Sequence, residues 1–186
     1  DRFATSAIVH IHREQSENEL IKFFIDTPLW SQCGVENVYI RPRGKNAAQN
    51  AEELPPASKG NGKNPFWIEE HGVSYQIDPI RHINAGFFLD MRDVRRCLKS
   101  ISAGKRVLNF FCYTGSLGLA ALVGGAREVT QVDISKGILS WAKENLEHNH
   151  ALHSQGTMRF IPEDSKVFLE REIRRVEKGS ERHDII

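Results

Sequence analysis

The sequence is poor in most features that announce specialised chemistry. Cysteine is scarce: Cys33, Cys97 and Cys112 are the only three in 186 residues. They lie far apart with no C-x-x-C pair, which argues against a zinc site or a disulfide framework. Such usage suits a reducing compartment, and a cytoplasmic location is expected. Charge of neither sign is in excess, since 25 Lys and Arg against 24 Asp and Glu leave a net +1. The whole-molecule balance therefore does not mark a nucleic-acid binder. No run of about 18 apolar residues occurs, so no membrane span is expected. Asp1-Arg2-Phe3 leads straight into strand-like sequence, and no secretory leader is expected. No internal repeat is visible. What is present, 40% hydrophobic and 26% charged residues, is ordinary globular composition, and the length suits one large domain or two small ones. Both ends read as cut: "SAIVHIH" (6–12) is a strand with almost no lead-in, and the final "HDII" is a strand just begun.

The first part reads as α+β. After that strand, Ser16 with Glu19 three positions on forms a capping box, and Leu20, Phe23 and Phe24 make an apolar face at helical spacing. "VENVYIRPR" (35–43) alternates as a strand, with Val38 and Ile40 on one face. Residues 44–65 have the composition of a loop. "FWIEEHGVSYQIDP" reads as a hairpin turning at His71-Gly72. Near Pro79 the style changes to alternating helices and buried strands, which argues for a βα series with a parallel sheet. A helix over 90–102 is expected to point Met91, Val94, Leu98 and Ile101 inward. Strands follow at 106–111, 128–133 and 158–164, and "DII" opens a fourth. Between them lie "SLGLAALV", stopped by Gly124-Gly125, a helix over 136–149 striped by Ile138, Ala142 and Leu146, and a helix over 166–178 with Leu169, Ile173 and Val176 inward.

The stretch "VLNFFCYTGSLGLAAL" (107–122) is a strand, a glycine turn and a helix, and such a helix points its free N–H groups at whatever sits in the turn. A Walker loop is excluded because its lysine is missing. A dinucleotide turn would match Gly115 and Gly118 but meets Tyr113 at its first glycine, where little room remains for the tight turn. S-adenosylmethionine is the third candidate, with a carboxylate at its amino-acid end and a sulfonium that needs only a modest gap near Gly115. Asp133 ends the next strand about 20 residues on, where a carboxylate can accept both ribose hydroxyls. Asp164, followed by Ser165, ends the third strand and could accept from an adenine amino group. Ile134 is placed to lay an apolar side chain on the adenine face. Each acid has a plainer reading as a helix cap, and Phe111 and Tyr113 as core, but three successive strand ends at one sheet edge favour a ligand.

These residues closely resemble the cofactor-binding core of Rossmann-type S-adenosylmethionine-dependent methyltransferases. Within them they resemble a bacterial branch acting on large-subunit ribosomal RNA. The matching positions are Asn109, Phe111, Tyr113, Thr114 and Gly115; then Gly124, Gly125 and Ala126; then Val132, Asp133 and Ser135; then Ala142 and Asn145. Upstream, "NAGFFLDMRDVRR" (84–96) resembles the branch's T-G-x-F-L-D-x-R-x-x-R segment, with Asn84-Ala85 standing before the glycine. "EEHGVSYQID" and "DRF" are similar to its small leading domain. The resemblance implies an α/β class I methyltransferase domain over 81–186, its parallel sheet truncated, preceded by a small α+β domain over 1–80 that could contact RNA. It implies S-adenosylmethionine as cofactor. Phe111, Tyr113, Thr114 and Gly115 would wrap the methionine half, Asp133 and Ile134 would hold ribose and adenine, and Asp164 with Ser165 would hold the adenine edge.

Ribosomal RNA is the expected partner, methylated at guanine N7 or cytosine C5. Arg92, Arg95 and Arg96 lie mostly away from the apolar stripe of their helix, and could meet the cofactor carboxylate or RNA phosphates. Arg41 and Arg43 add to a basic loop. For any single arginine a solvated helix face is the favoured reading, and the basic loop reads equally well as a linker. Cytosine C5 chemistry normally needs a thiolate, and both Cys112 and Cys97 read as packed thiols. The branch's D-P-P motif, which shapes the base pocket, is expected beyond residue 186, with the catalytic residues, so weak or absent turnover is expected of residues 1–186 alone. The competing readings are a methyltransferase for a protein or small molecule, a non-catalytic RNA-binding module, and a nicotinamide enzyme, which Tyr113 disfavours.

Overall fold

A computed structural model describes residues 2–11, 17–42, 58–80, 84–152 and 156–186. Short alternating segments at the start build a small mixed sheet. Strand β1 (Arg2–Phe3) runs antiparallel to β2 (Ser6–Ile11), which lies parallel to β3 (Asn37–Pro42). A parallel pair requires a crossover, and it carries helices α1 (Glu17–Asp26) and α2 (Leu29–Gln32). Strand β4 (Ser58–Lys59) closes the other edge, inside the stretch expected to be loop throughout. Ala7, Val35, Val38 and Ile40 form the core here, with Phe24, Ile25 and Trp30 packed on it. Of the expected face, Phe24 packs on this core together with Ile25, Phe23 is exposed, and the Leu20 side chain lies outside the described residues. The capping box and Arg43 lie outside the described residues.

The hairpin of β5 (Phe66–Glu70) and β6 (Val73–Ile77) turns at His71 and Gly72, with φ of 54° and 75°. Two successive left-handed residues are what a two-residue hairpin turn demands. By internal contacts the chain divides into one unit of residues 1–68 and 76–86 and a second of residues 69–75 and 87–186. The hairpin tip thus counts with the second unit.

The second unit is a βα series: α3 (Arg92–Ile101), β7 (Arg106–Phe110), α4 (Ser116–Val123), β8 (Glu128–Asp133), α5 (Lys136–His148), β9 (Thr157–Pro162) and α6 (Ser165–Glu177). The three strands are parallel, β8 lying between β7 and β9. On the free side of β7, Ile185 forms an isolated parallel bridge with Val107, at the place where the sequence announces a fourth strand. Strand order therefore reverses beside β7, which makes a topological switch point above its tip. The fold is Rossmann-like. Val107, Val129 and Met158 pack one sheet face against Ala121, Leu122 and Leu146, with Leu98 of α3. Leu108, Phe110, Val132 and Ile161 pack the other against Phe168 of α6. Gly124 lets α4 approach α3: a Cβ there would stand 2.2 Å from the Lys99 carbonyl oxygen.

Two expected helix stripes, on α3 and α6, are corrected, and the one on α5 is met, Ala142 being buried and Leu146 packed on the core. On α3 and the turn before it, Met91, Val94 and Ile101 are exposed and Arg95 is buried at 1% exposure, leaving Leu98 alone of the expected stripe turned toward the core. The cause is a counter-ion that periodicity cannot see. Glu70, on the hairpin, takes the Arg95 guanidinium at 2.7 and 3.1 Å, and the Phe87 ring lies 3.9 Å beneath it. Cys97, expected to be packed, is exposed on the same helix. On α6, Phe168 and Glu172 face the sheet while Leu169 and Ile173 are exposed. On α5, the buried residues are Leu139, Trp141, Ala142 and Asn145, with Ile138 and Leu146 half-buried.

Candidate functional site

Beyond the tip of β7 the backbone does something most sequences avoid. Phe111, Tyr113 and Gly115 all adopt left-handed φ, of 49°, 52° and 76°. For the two non-glycine residues this costs about 1–2 kcal/mol each, so the surroundings must enforce it. The Cys112 N–H donates to the Val132 carbonyl at 3.0 Å, and the Gly115 N–H to the Cys112 carbonyl at 2.9 Å. The Tyr113 N–H donates to Asp133 Oδ2 at 3.1 Å. The Tyr113 ring sits between Phe88 (5.4 Å) and Trp141 (6.4 Å). Phe111 is turned out of the core altogether and is 80% exposed.

Asp133 and Asp164 end up on neighbouring strand tips, since Asp133 is paired in register with Pro162 at the end of β9. Each oxygen of Asp133 accepts one backbone N–H, Oδ2 from Tyr113 and Oδ1 from Ser135 at 3.0 Å. A carboxylate has about four acceptor positions, so this grip orients the group and leaves acceptor capacity outward. Capping of α5 falls to Ser135, whose hydroxyl accepts from Ile138 N–H. Ile134, next in the chain, is 73% exposed. Asp164 is the N-cap of α6, with Oδ1 accepting from Lys166 and Val167 N–H. The plain capping role is therefore real for Asp164, and both bonds use one oxygen. Ser165 starts the helix, half-buried. Thr114 is buried and Gly115 is closed in by its neighbours.

Behind the turn lies a set of buried amides with no assigned role in the sequence reading. Gln131, 0% exposed, donates to the Gly115 carbonyl at 3.0 Å and accepts from Asn109 at 2.7 Å. Asn145 donates to the Thr114 carbonyl at 3.0 Å. Asn149 donates to the Asn145 carbonyl and brackets the backbone of Ser74 on the hairpin. The glycines acquire a different meaning here. A Cβ on Gly118 would lie 2.2 Å from Gln131 Nε2, and one on Gly115 2.9 Å. They are glycine because a glutamine occupies the space. Two signals were available: a lone glutamine in the otherwise buried run "EVTQVD", and Asn109 and Asn145 among the positions that match the resembled branch.

Cys112 is a packed thiol, as expected. Burial, reinforced by the Asp133 carboxylate, pushes its pKa up to about 12. The arginines separate. Arg95 is committed to Glu70 and to the Phe88 carbonyl, so its surface role is withdrawn. Arg92 and Arg96 have exposed side chains in loose surface pairs with Glu70 (4.0 Å) and Asp93 (3.0 Å). Arg41 is half-buried and donates to the Ile80 carbonyl. Among the described residues no group of three or more His, Cys, Asp and Glu is placed to hold a metal, and no helix is long and apolar enough to cross a membrane.

Comparison with known proteins gives a family and a fold. Residues 24–172 match the family described as S-adenosylmethionine-dependent methyltransferase. The chain is 30% identical over 168 residues to ribosomal RNA large subunit methyltransferase K/L of Pseudoalteromonas translucida, covering 90% of this chain and 23% of that one. It is 46% identical over 122 residues to ribosomal RNA large subunit methyltransferase I of Aeromonas salmonicida, covering 66% and 29%. A candidate methyltransferase crystallised with SAH superposes with a TM-score of 0.71 at 26% identity, covering 91% of this chain and 43% of its own. The chain thus spans a quarter to under a half of the lengths of these proteins.

Proposed function

This chain belongs to the S-adenosylmethionine-dependent methyltransferase family, and from that membership we propose that it presents the methyl donor to a base of large-subunit ribosomal RNA. When bound, the cofactor supplies a methyl group on a positively charged sulfur. The residues fit it. Asp133 offers outward acceptor capacity for two ribose hydroxyls, and Ile134 beside it is a bare apolar surface that an adenine face would cover. Phe111, Tyr113, Thr114 and Gly115 form the turn that takes the methionine half. Asp164 retains its second oxygen for the adenine amino group, with Ser165 next to it. The observation that carries the reading is Asp133, a carboxylate held by two backbone N–H groups at the tip of β8, one strand from the switch point, and flanked by two large apolar side chains that are otherwise left in water.

Work at the acceptor is mainly positioning and exclusion of water, since methyl transfer is an in-line displacement. Cys112, with its pKa at about 12, is not the thiolate that cytosine C5 chemistry calls for. Ribosomal RNA is supported by the names of the relatives and by the exposed guanidiniums of Arg92 and Arg96. With the boundary moved from the expected 80/81, residues 69–75 and 87–186 are the candidate cofactor-binding domain, and residues 1–68 and 76–86 the candidate RNA-contacting domain.

Calorimetry with S-adenosylhomocysteine on the full-length protein tests the cofactor site. Binding is expected, and Asp133→Ala should weaken it about 100-fold or more, the worth of two hydrogen bonds to a charged acceptor at about 1.5–3 kcal/mol each. Undiminished binding by Asp133→Ala would sink the assignment. Transfer of labelled methyl into ribosomal RNA, with mass-spectrometric mapping of the product nucleotide, tests the substrate; label in protein but not in RNA would overturn it.

A further inference from the structure

We infer that Gln131 and Asn145 are positioning residues for the methionine end of the cofactor, acting through the two turn carbonyls they hold. The inference rests on the cofactor reading above. Neither side chain reaches the surface: Gln131 is 0% and Asn145 1% exposed. Each spends an amide N–H on one main-chain oxygen of the turn, Gln131 on Gly115 and Asn145 on Thr114. These are consecutive peptides at the last left-handed residue before α4. A peptide plane whose carbonyl is pinned toward the protein interior must point its N–H the opposite way. The first plane closes the turn, its Gly115 N–H donating to the Cys112 carbonyl; the second, whose carbonyl also takes the Leu119 N–H, sets the direction of the Ser116 N–H at the start of α4, where the ligand would meet it.

The pinning is built to be rigid. The Gln131 amide is itself held at its oxygen by Asn109 from β7. Asn145 sits on α5, and its carbonyl accepts from Asn149, which is locked to Ser74. The turn is therefore gripped from two strands and one helix at once. That grip is what lets Phe111 and Tyr113 stay left-handed. It also explains why Gly115 and Gly118 admit no Cβ, since both would displace the Gln131 amide. Asp133, by contrast, is held by Tyr113 and by Ser135, and its second anchor does not depend on either amide. The two amides should govern the amino-acid end of the ligand more than its nucleoside end.

This separation gives a readout that loss of general stability would not move. Affinities are measured by calorimetry on the full-length protein for S-adenosylhomocysteine and for 5′-methylthioadenosine, which lacks the amino-acid end. The variants are Asn145→Ala and Gln131→Met, the second keeping side-chain length so that the fold survives. Val129→Ala, in the core of the same sheet, is the control for stability. Asn145→Ala and Gln131→Met are expected to weaken S-adenosylhomocysteine roughly tenfold or more, as loss of one buried hydrogen bond implies, with 5′-methylthioadenosine changed less than about twofold. Val129→Ala should lower the melting temperature and leave both affinities within about twofold. Equal weakening of both ligands, or none in a folded variant, overturns the inference. Should the unaltered protein bind neither ligand, the underlying cofactor reading fails, and that is a different outcome from the variants behaving like Val129→Ala.

Discussion

Phe111 shows how a single residue can trade stability for a site. It holds a left-handed φ of 49° and leaves 80% of its side chain exposed. Neither serves the free protein. Glycine relieves the backbone strain at some entropic cost, for a net gain of roughly 0.5–1 kcal/mol. Phe111→Gly is expected to be at least as stable as the parent in urea, yet to bind S-adenosylhomocysteine more weakly. A loss of stability without loss of binding would return Phe111 to a structural role. Arg95 behaves in the opposite way. Removing it leaves Glu70 with only the 4.0 Å contact to the exposed Arg92, and Arg95→Ala should cost about 3 kcal/mol in urea denaturation. Arg96→Ala, at an exposed pair, should stay within about 0.5 kcal/mol. If Arg92 and Arg96 meet phosphates, each substitution should lower the salt slope of RNA binding by about 0.7–0.9 per arginine. Cys112 should resist iodoacetamide at pH 8, its thiol pKa lying at about 12, while the exposed Cys33 and Cys97 react.

At the scale of elements, the strands were legible and the helix faces were not. "RVLNFF", "EVTQVD" and "MRFIPED" are short apolar runs between turn signals, and all three fall on strands. A strand buried on both faces, as β7 and β8 largely are, needs no choice of side, so composition is enough to find it, whereas β9 alternates exposed and half-buried residues. A helix must choose a side, and its partner decides. Helix α3 turns a charged residue inward because Glu70 and Phe87 are there to receive it. Helix α6 likewise buries Glu172, which meets Arg175 at 2.8 Å on the same helix. Periodicity sees an apolar stripe and assigns it to the core; ion pairs formed with another element are invisible to it. The site divides along the same line. Asp133, Asp164 and the glycine turn announce themselves at strand ends, whereas Gln131 and Asn145 act on main-chain oxygens and leave only a weak local signature. Gly124 is a test at this scale. Its missing Cβ would strike a backbone oxygen, which cannot rotate away, so Gly124→Ala should force α3 and α4 apart at a cost of about 1–3 kcal/mol. A neutral result in thermal unfolding would mean that the two helices slide freely.

Across the second unit the parallel sheet keeps its two ends chemically distinct. One end carries the turn, Asp133 and Asp164. The other carries a charge network in which Arg106 meets Glu128 at 3.1 Å, Arg159 meets Glu128 at 2.6 Å, and Asp184 accepts from the Arg106 N–H at 2.8 Å. His183 lies beside Glu172 at 3.7 Å in the same region. Burial lowers the His183 pKa, partly offset by Glu172. Burial would raise Glu128, but the Arg106 hydrogen bond and the charges of Arg159, Arg106 and His183 outweigh it, and its pKa is lowered. Both shifts have one consequence. Each group binds protons more readily when the chain is unfolded, so each contribution is intact above the unfolded pKa and is lost as pH falls toward the folded one. For His183 the loss begins below about pH 6.5, and for Glu128 below about pH 4.5. Glu128→Gln should therefore destabilise the protein at pH 7 and flatten the acid limb of its stability curve, with affinity for S-adenosylhomocysteine unchanged at pH 7. Asp133→Ala should do the reverse, moving affinity far more than stability. Plotted as affinity against melting temperature, substitutions at the two ends should fall on two perpendicular lines; a single shared trend would mean that the sheet transmits strain from its charged end to the cofactor turn.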